Sequence, residues 1–181
     1  NFTEEELKNL HEFKYTDGYI DKIPLPIINV INLQELYLYN NKLTSLSGIG
    51  NLVNLKLFDC SSNRLTIIPP EIGNLINLEK FYCYDNLLTN IPLEIFRLIN
   101  LIKFYCSNNR ITIIPPEIGE LNRLETFFCH NNNITVIPQE ICNLHNLLFF
   151  ECYNNPIEHM SPNIIRFLNN YGQKLYADSQ S

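Results

Sequence analysis

Five cysteines stand 23 residues apart in this 181-residue chain: Cys60, Cys83, Cys106, Cys129 and Cys152, with Cys142 outside the series. Six cysteines in a secreted domain would suggest disulfides. Here the even step places five of them at one equivalent position, where neighbouring side chains point the same way rather than toward each other. Metal binding needs clustered ligands. Cys129 and His130 are adjacent but alternate to opposite faces of a strand, and His11, His145 and His159 are scattered. The one Gly-x-Gly, Gly48-Ile49-Gly50, lacks the further glycine of a nucleotide loop, and no Gly-x-Ser-x-Gly occurs. No nucleophile has a base at interpretable spacing. The expectation is reduced, buried thiols that serve as small apolar core residues, with no cofactor, no metal and no catalytic residues. Cys142 stands where equivalent units have Gly73 and Gly119, and reads as a tolerated, partly exposed substitution.

The same step governs the elements that would position these thiols. Phe58, Phe81, Phe104, Phe127 and Phe150 precede the cysteines by two residues, and Asn63, Asn86, Asn109, Asn132 and Asn155 follow them by three. Each unit reads L-x-x-F-x-C-x-x-N-x-[LI], followed in most copies by x-x-I-P-x-E-I-x-x-L-x-N-L. The segment 33–43 has the same pattern with Leu throughout, ending in Asn41 and Leu43, and lies 22 rather than 23 residues before the next unit. A degenerate first unit has Gly18 in place of the Asn. Seven units therefore start at residues 10, 33, 55, 78, 101, 124 and 147.

This pattern resembles the leucine-rich-repeat (LRR) family over roughly residues 10–168. The half-unit Ile-Pro-Pro-Glu-Ile-Gly (68–73 and 114–119) resembles the 23-residue repeats of intracellular Ras-group members. The Phe-x-Cys ladder, with the enrichment in Asn and Ile, resembles repeat proteins of amoebae or their giant DNA viruses. The resemblance implies an α/β solenoid: a curved right-handed stack, a short parallel β-sheet on the concave face, irregular or 3-10 turns on the convex face, and short helical caps. It also implies a protein or peptide as partner. Extracellular members usually carry Cys-rich caps; none is seen here, so a cytoplasmic chain is expected.

Side chains alternate along each strand. The Leu, Phe and Cys positions then face the core, and two columns face outward. One runs Lys14, Tyr37, Asp59, Tyr82, Tyr105, Phe128, Glu151; the next runs Thr16, Tyr39, Ser61, Tyr84, Ser107, His130, Tyr153. Tyr and Phe are rigid anchors of the kind found at binding hot spots. The candidate partner-binding residues are Tyr37, Tyr39, Tyr82, Tyr84, Tyr105, Phe128, His130 and Tyr153. Cross-strand packing that stiffens the sheet is the plain alternative role. Lys80 and Lys103 on one side, and Arg64 and Arg110 on the other, offer cations to a partner's rim.

The Asn series, Asn41 to Asn155, is expected to satisfy backbone groups where the chain bends after each strand. A rung near the C-terminal end, Asn155, is expected to matter less than Asn109, having one complete neighbour fewer. The convex Glu71, Glu94, Glu117 and Glu140 are expected in solvent. Thr3 and Glu6 form a capping box for an N-terminal cap helix within 1–9. Ser161 and Pro162 open a C-terminal cap helix, 161–172, with Ile164, Ile165, Phe167 and Leu168 as its apolar face, extended by Tyr171 and stopped by Gly172. A frayed tail, 173–181, follows.

With 45% apolar and 18% charged residues the composition is globular, and apolar runs such as 147–150 are too short to span a bilayer. No signal peptide is visible ahead of the first unit. A net charge of −6 without a basic block argues against nucleic acid and anionic membranes as partners. The reading is a non-catalytic protein-interaction module. The alternatives are a self-assembling structural protein using the same face, or a targeting fragment of a larger enzyme.

Overall fold

Seven three-residue strands form one parallel sheet in sequence order: β1 (Glu12–Lys14), β2 (Glu35–Tyr37), β3 (Leu57–Asp59), β4 (Lys80–Tyr82), β5 (Lys103–Tyr105), β6 (Thr126–Phe128) and β7 (Phe149–Glu151). The computed structural model describes residues 3–170. Register follows the repeat, so Phe81 lies between Phe58 and Phe104, and Tyr82 opposite Tyr105. The 22-residue step pairs Glu35 with Leu57 without a slip in the sheet. The shorter return path turns at Gly48, whose φ of 86° is left-handed backbone that glycine adopts without steric cost.

The inward positions build a single continuous core. Leu78, Phe81 and Cys83, and their equivalents in the following two units, are fully buried. The phenylalanines stack from Phe58 to Phe150 with ring centroids 5.5–5.7 Å apart. Each such pair contributes about 0.5–1.5 kcal/mol beyond area burial. The five ladder cysteines are free and buried, and Cys142 is free and half-buried.

Three residues after each strand the chain passes through left-handed backbone: Asp17, Asn40, Ser62, Asp85, Asn108, Asn131 and Asn154 all have φ between 52° and 56°. Asn and Asp tolerate this region because their short polar side chains bond locally. Several also bond to one another: Asn131 Nδ2 donates to Asn108 Oδ1 at 2.5 Å, and Asn154 Nδ2 to Asn131 Oδ1 at 2.6 Å.

The next residue carries the inner amide. Asn63 Nδ2 donates to the carbonyls of Leu38, Cys60 and Ser61, while its Oδ1 accepts the Leu43 N–H at 2.8 Å. Asn155 makes the same set, including the Ile134 N–H at 2.9 Å and the Cys129 carbonyl at 3.0 Å. Each amide reaches back to the preceding unit, so the C-terminal rung loses nothing. The incomplete rung is at the other end. Asn41 Oδ1 is buried without a hydrogen-bond partner, and it lies where a side chain on Gly18 would have to go. The expectation that Asn155 matters less than Asn109 is therefore corrected.

The return path carries 3-10 turns, among them Pro70–Asn74, Leu93–Arg97, Pro116–Glu120 and Gln139–Asn143. Proline at the first position suits a turn whose N–H would be unpaired anyway. A Cβ on Gly73 would stand 2.9 Å from Glu94 Cβ, and one on Gly119 would stand 2.9 Å from the Glu140 carbonyl oxygen. The turns are that closely stacked, which corrects the expectation for the glutamates. Glu71 is exposed, but Glu94, Glu117 and Glu140 are half-buried, and Glu117 Oε2 is buried with no hydrogen-bond partner.

Helix α1 (Glu4–Lys8) has the capping box of Thr3 and Glu6. Helix α2 (Pro162–Asn170) is capped by Ser161 Oγ, which accepts the Ile164 N–H at 3.3 Å. Ile164 and Leu168 are buried, one turn apart, while Ile165 is exposed rather than on the apolar face. Successive residues of a helix are about a quarter-turn apart, so Ile164, Phe167 and Leu168 meet the stack while Ile165 turns away from it. Tyr171, Gly172 and the tail 173–181 lie outside the described residues.

Candidate functional site on the open face of the sheet

Strand alternation sends the outward columns to the face opposite the Phe and Cys ladders. Tyr82, Tyr105 and Phe128 stack on one another with centroids 4.7 and 4.6 Å apart. Phe128 meets His130 in a tilted contact at 6.2 Å, and His130 lies flat on Tyr153 at 4.4 Å and 8°. These five rings form one row. Centroid distances match the strand spacing of about 4.8 Å, so the ring faces look along the ladder at each other. What the row offers outward is ring edges and hydroxyls.

The remaining aromatic candidates stand apart from the row. Tyr37 is half-buried; its hydroxyl donates to Glu35 Oε2 at 2.7 Å and Lys14 Nζ sits 4.6 Å from its ring centre. Tyr39 is exposed, and Tyr84 is half-buried in a column whose register neighbours are Ser61 and Ser107. Between Tyr37 and Tyr82 lies a polar rung absent from the sequence expectation. Asp59 and Ser61 are both buried, and Asp59 Oδ1 accepts the Ser61 hydroxyl at 2.5 Å and its N–H at 3.0 Å. The signal was present as Asp and Ser in a column of aromatics. Large neighbours on both sides shade the small pair from solvent.

Burial sets the titration of these groups. It pushes the Tyr82 hydroxyl up to about 12, with the neighbouring Tyr105 and Asp59 adding to it. Tyr105 is raised by burial and by Glu151, Tyr37 by burial and its bond to Glu35, and Asp59 by burial against the opposing Ser61 bonds. His130 is shifted down by burial, against the pull of Glu151. Its Nδ1 is 3.2 Å from Glu151 Oε2 yet without the alignment of a hydrogen bond. Tyr37, Tyr82 and Tyr105 are thus neutral donors and His130 is a neutral ring at pH 7.

Little here supports bond-making chemistry. The thiols are raised by burial, to about 12 at Cys152 and well above the ordinary value at Cys60, Cys83 and Cys129. Cys142 is raised as well, by burial and Glu140. Among the described residues no group of three His, Cys, Asp or Glu could hold a metal ion, and no helix is long and apolar enough to cross a membrane.

Residues 31–66 and 99–135 match the family model described as leucine rich repeats. No curated protein matches the chain by sequence. Among solved structures, an LRR protein of Leptospira interrogans superposes with a TM-score of 0.82 at 33% identity, over 92% of this chain and 42% of that one. Internalin C2 of Listeria monocytogenes gives a TM-score of 0.81 at 28% identity, over 92% of this chain and 70% of that one. The LRR ectodomain of the Arabidopsis receptor kinase HAESA, solved with an N-terminally extended IDA peptide hormone ligand, gives 0.69 at 26%, over 76% of this chain and 24% of that one. The chain therefore spans less than half the length of the Leptospira protein it is similar to. The repeats and the fold are those of a leucine-rich-repeat solenoid, with the sheet on its concave side.

Proposed function

We propose that this leucine-rich-repeat solenoid is a non-catalytic recognition module that binds a protein or peptide through the concave row Tyr82–Tyr105–Phe128–His130–Tyr153. The observation that carries the reading is the row itself: five rings packed side by side across four consecutive repeat units. Pre-stacked rings lose little freedom on binding, which lowers the cost of association. Tyr37, Tyr39 and Tyr84 extend the surface as separate anchors. The peptide hormone bound by the HAESA ectodomain supports a peptide-sized occupant for this fold.

Affinity capture with three chains tests the proposal: native, Tyr82→Ala/Tyr105→Ala, and Glu71→Ala as a convex control. Loss of the captured partner in the tyrosine variant alone supports it. Loss in the Glu71 variant alone moves recognition to the convex side. A stable dimer in sedimentation velocity that shields the tyrosines would make the partner a second copy and the protein a self-assembling one.

A further inference from the structure

Almost every charged residue on the seven strands meets a partner within the chain. Lys14 pairs with Glu12, Glu35 accepts from Tyr37, Asp59 accepts from Ser61, and Glu151 lies against His130. Lys80 and Lys103 are the exceptions. They are half-buried, stand directly opposite each other on β4 and β5, and neither ammonium has an ion pair or hydrogen bond with any described residue. Like charges opposite each other in a sheet are destabilising, so the pair is a cost to the free protein that a bound anion would remove.

Two residues along the same strands stand Tyr82 and Tyr105. The four side chains mark a rectangle of about 5 by 7 Å, from the strand spacing and the rise per residue. Because Tyr82 and Tyr105 stack on each other, their rings turn edges outward. Aromatic edges carry partial positive charge. Both hydroxyls stay protonated at neutral pH, since burial raises them. Two lysines, two O–H donors and two ring edges are therefore carried by one small area of the sheet.

We propose that this rectangle binds a single carboxylate, the side chain of an Asp or Glu in an extended segment of the partner. The proposal rests on the concave face being the recognition surface and names the chemistry recognised there. A polyanion is disfavoured by what surrounds the rectangle. Asp59 borders it on β3, Glu79 comes just before β4 and Asp85 three residues after it, Glu151 lies two strands beyond β5, and the whole chain carries −6.

The test is selection of a random dodecapeptide library on the native chain and on Lys80→Gln/Lys103→Gln, with circular dichroism to show that both fold. Peptides selected on the native chain should be enriched in Asp and Glu, and those from the variant should not. A labelled peptide from the native pool should bind at least tenfold more weakly to the variant and more weakly as salt rises. Equal acid content in both pools overturns the proposal, as does tighter binding of a dodecathymidylate than of the selected peptide. A pool without acid bias whose binding is abolished by Tyr82→Ala/Tyr105→Ala would sink the carboxylate and leave the concave face as the recognition surface. No enrichment on the native chain would sink both.

Discussion

Asn109 Oδ1 accepts the N–H of Leu88, one unit earlier, at 2.9 Å, while its Nδ2 donates to the Cys83 carbonyl of that same unit at 3.1 Å. Each rung therefore closes the repeat behind it. Removing the amide leaves the Leu88 N–H unpaired and the Cys83 carbonyl with Asn86 Nδ2 alone.

Asn109→Ala should lower stability by about 1–3 kcal/mol, the cost of leaving buried polar groups unsatisfied. Asn155→Ala should cost as much, because it makes the same four contacts. Asn41→Ala should cost less, since Asn41 Oδ1 already lacks a partner. Urea midpoints of the three variants check the order; a clearly milder Asn155 variant would contradict the backward-reaching geometry.

The aromatic row should contribute to stability as well as to recognition. Tyr105 stacks on two rings and Tyr82 on one. At about 0.5–1.5 kcal/mol per stacked pair, Tyr105→Ala should cost roughly twice what Tyr82→Ala costs. Tyr105→Phe should restore the stability. Thermal melts of the three variants decide this. Equal melts for native and Tyr105→Ala would mean the row carries no packing energy.

Thiol titration should count six cysteines after denaturation without reductant. The native chain should react slowly throughout, because every thiol is raised above its ordinary value of 9.0 and thiolate is scarce. Cys142, half-buried rather than buried, should react first. A time course with a chromogenic disulfide at pH 8 reads both; fewer than six equivalents on denaturation would reveal bridges.

Stability should fall on acidification below about pH 6.5 through His130. Its folded value is depressed below the ordinary 6.5, so the unfolded ring takes up a proton before the folded ring does. Stability linked to this group is present above 6.5 and lost as pH drops toward the depressed value. His130→Phe keeps an aromatic ring on Tyr153 and should flatten that part of the profile. An unchanged slope between pH 6.5 and 5 in the variant would assign the loss to another group.

Much of this architecture was legible from spacing. The 23-residue period put one short strand in every unit, because one Leu-Phe-Cys set per period has only one way to face a common core. Thr3 with Glu6 and Ser161 with Pro162 marked both helices, since capping depends on a local arrangement of side chains. Contacts between rungs were less legible. The direction in which Asn155 bonds, the burial of Glu117 beneath stacked turns, and the shading of Asp59 by its neighbours depend on how adjacent units sit, which no single period records. The left-handed column at Asp17, Asn40, Ser62, Asp85, Asn108, Asn131 and Asn154 did have a signal, a run in step with the repeat of short polar residues, mostly Asn and Asp. In a chain holding 27 asparagines it was hard to separate from composition.

The backward reach of the asparagines gives the molecule a direction in time. A ribosome releases the N-terminal unit first, and each unit that emerges brings the amide that finishes its predecessor. Assembly can then proceed as a ratchet, with only the newest unit open at any moment. Chains arrested with Asn109 outside the exit tunnel should protect the Leu88 amide from exchange, and chains arrested before it should not.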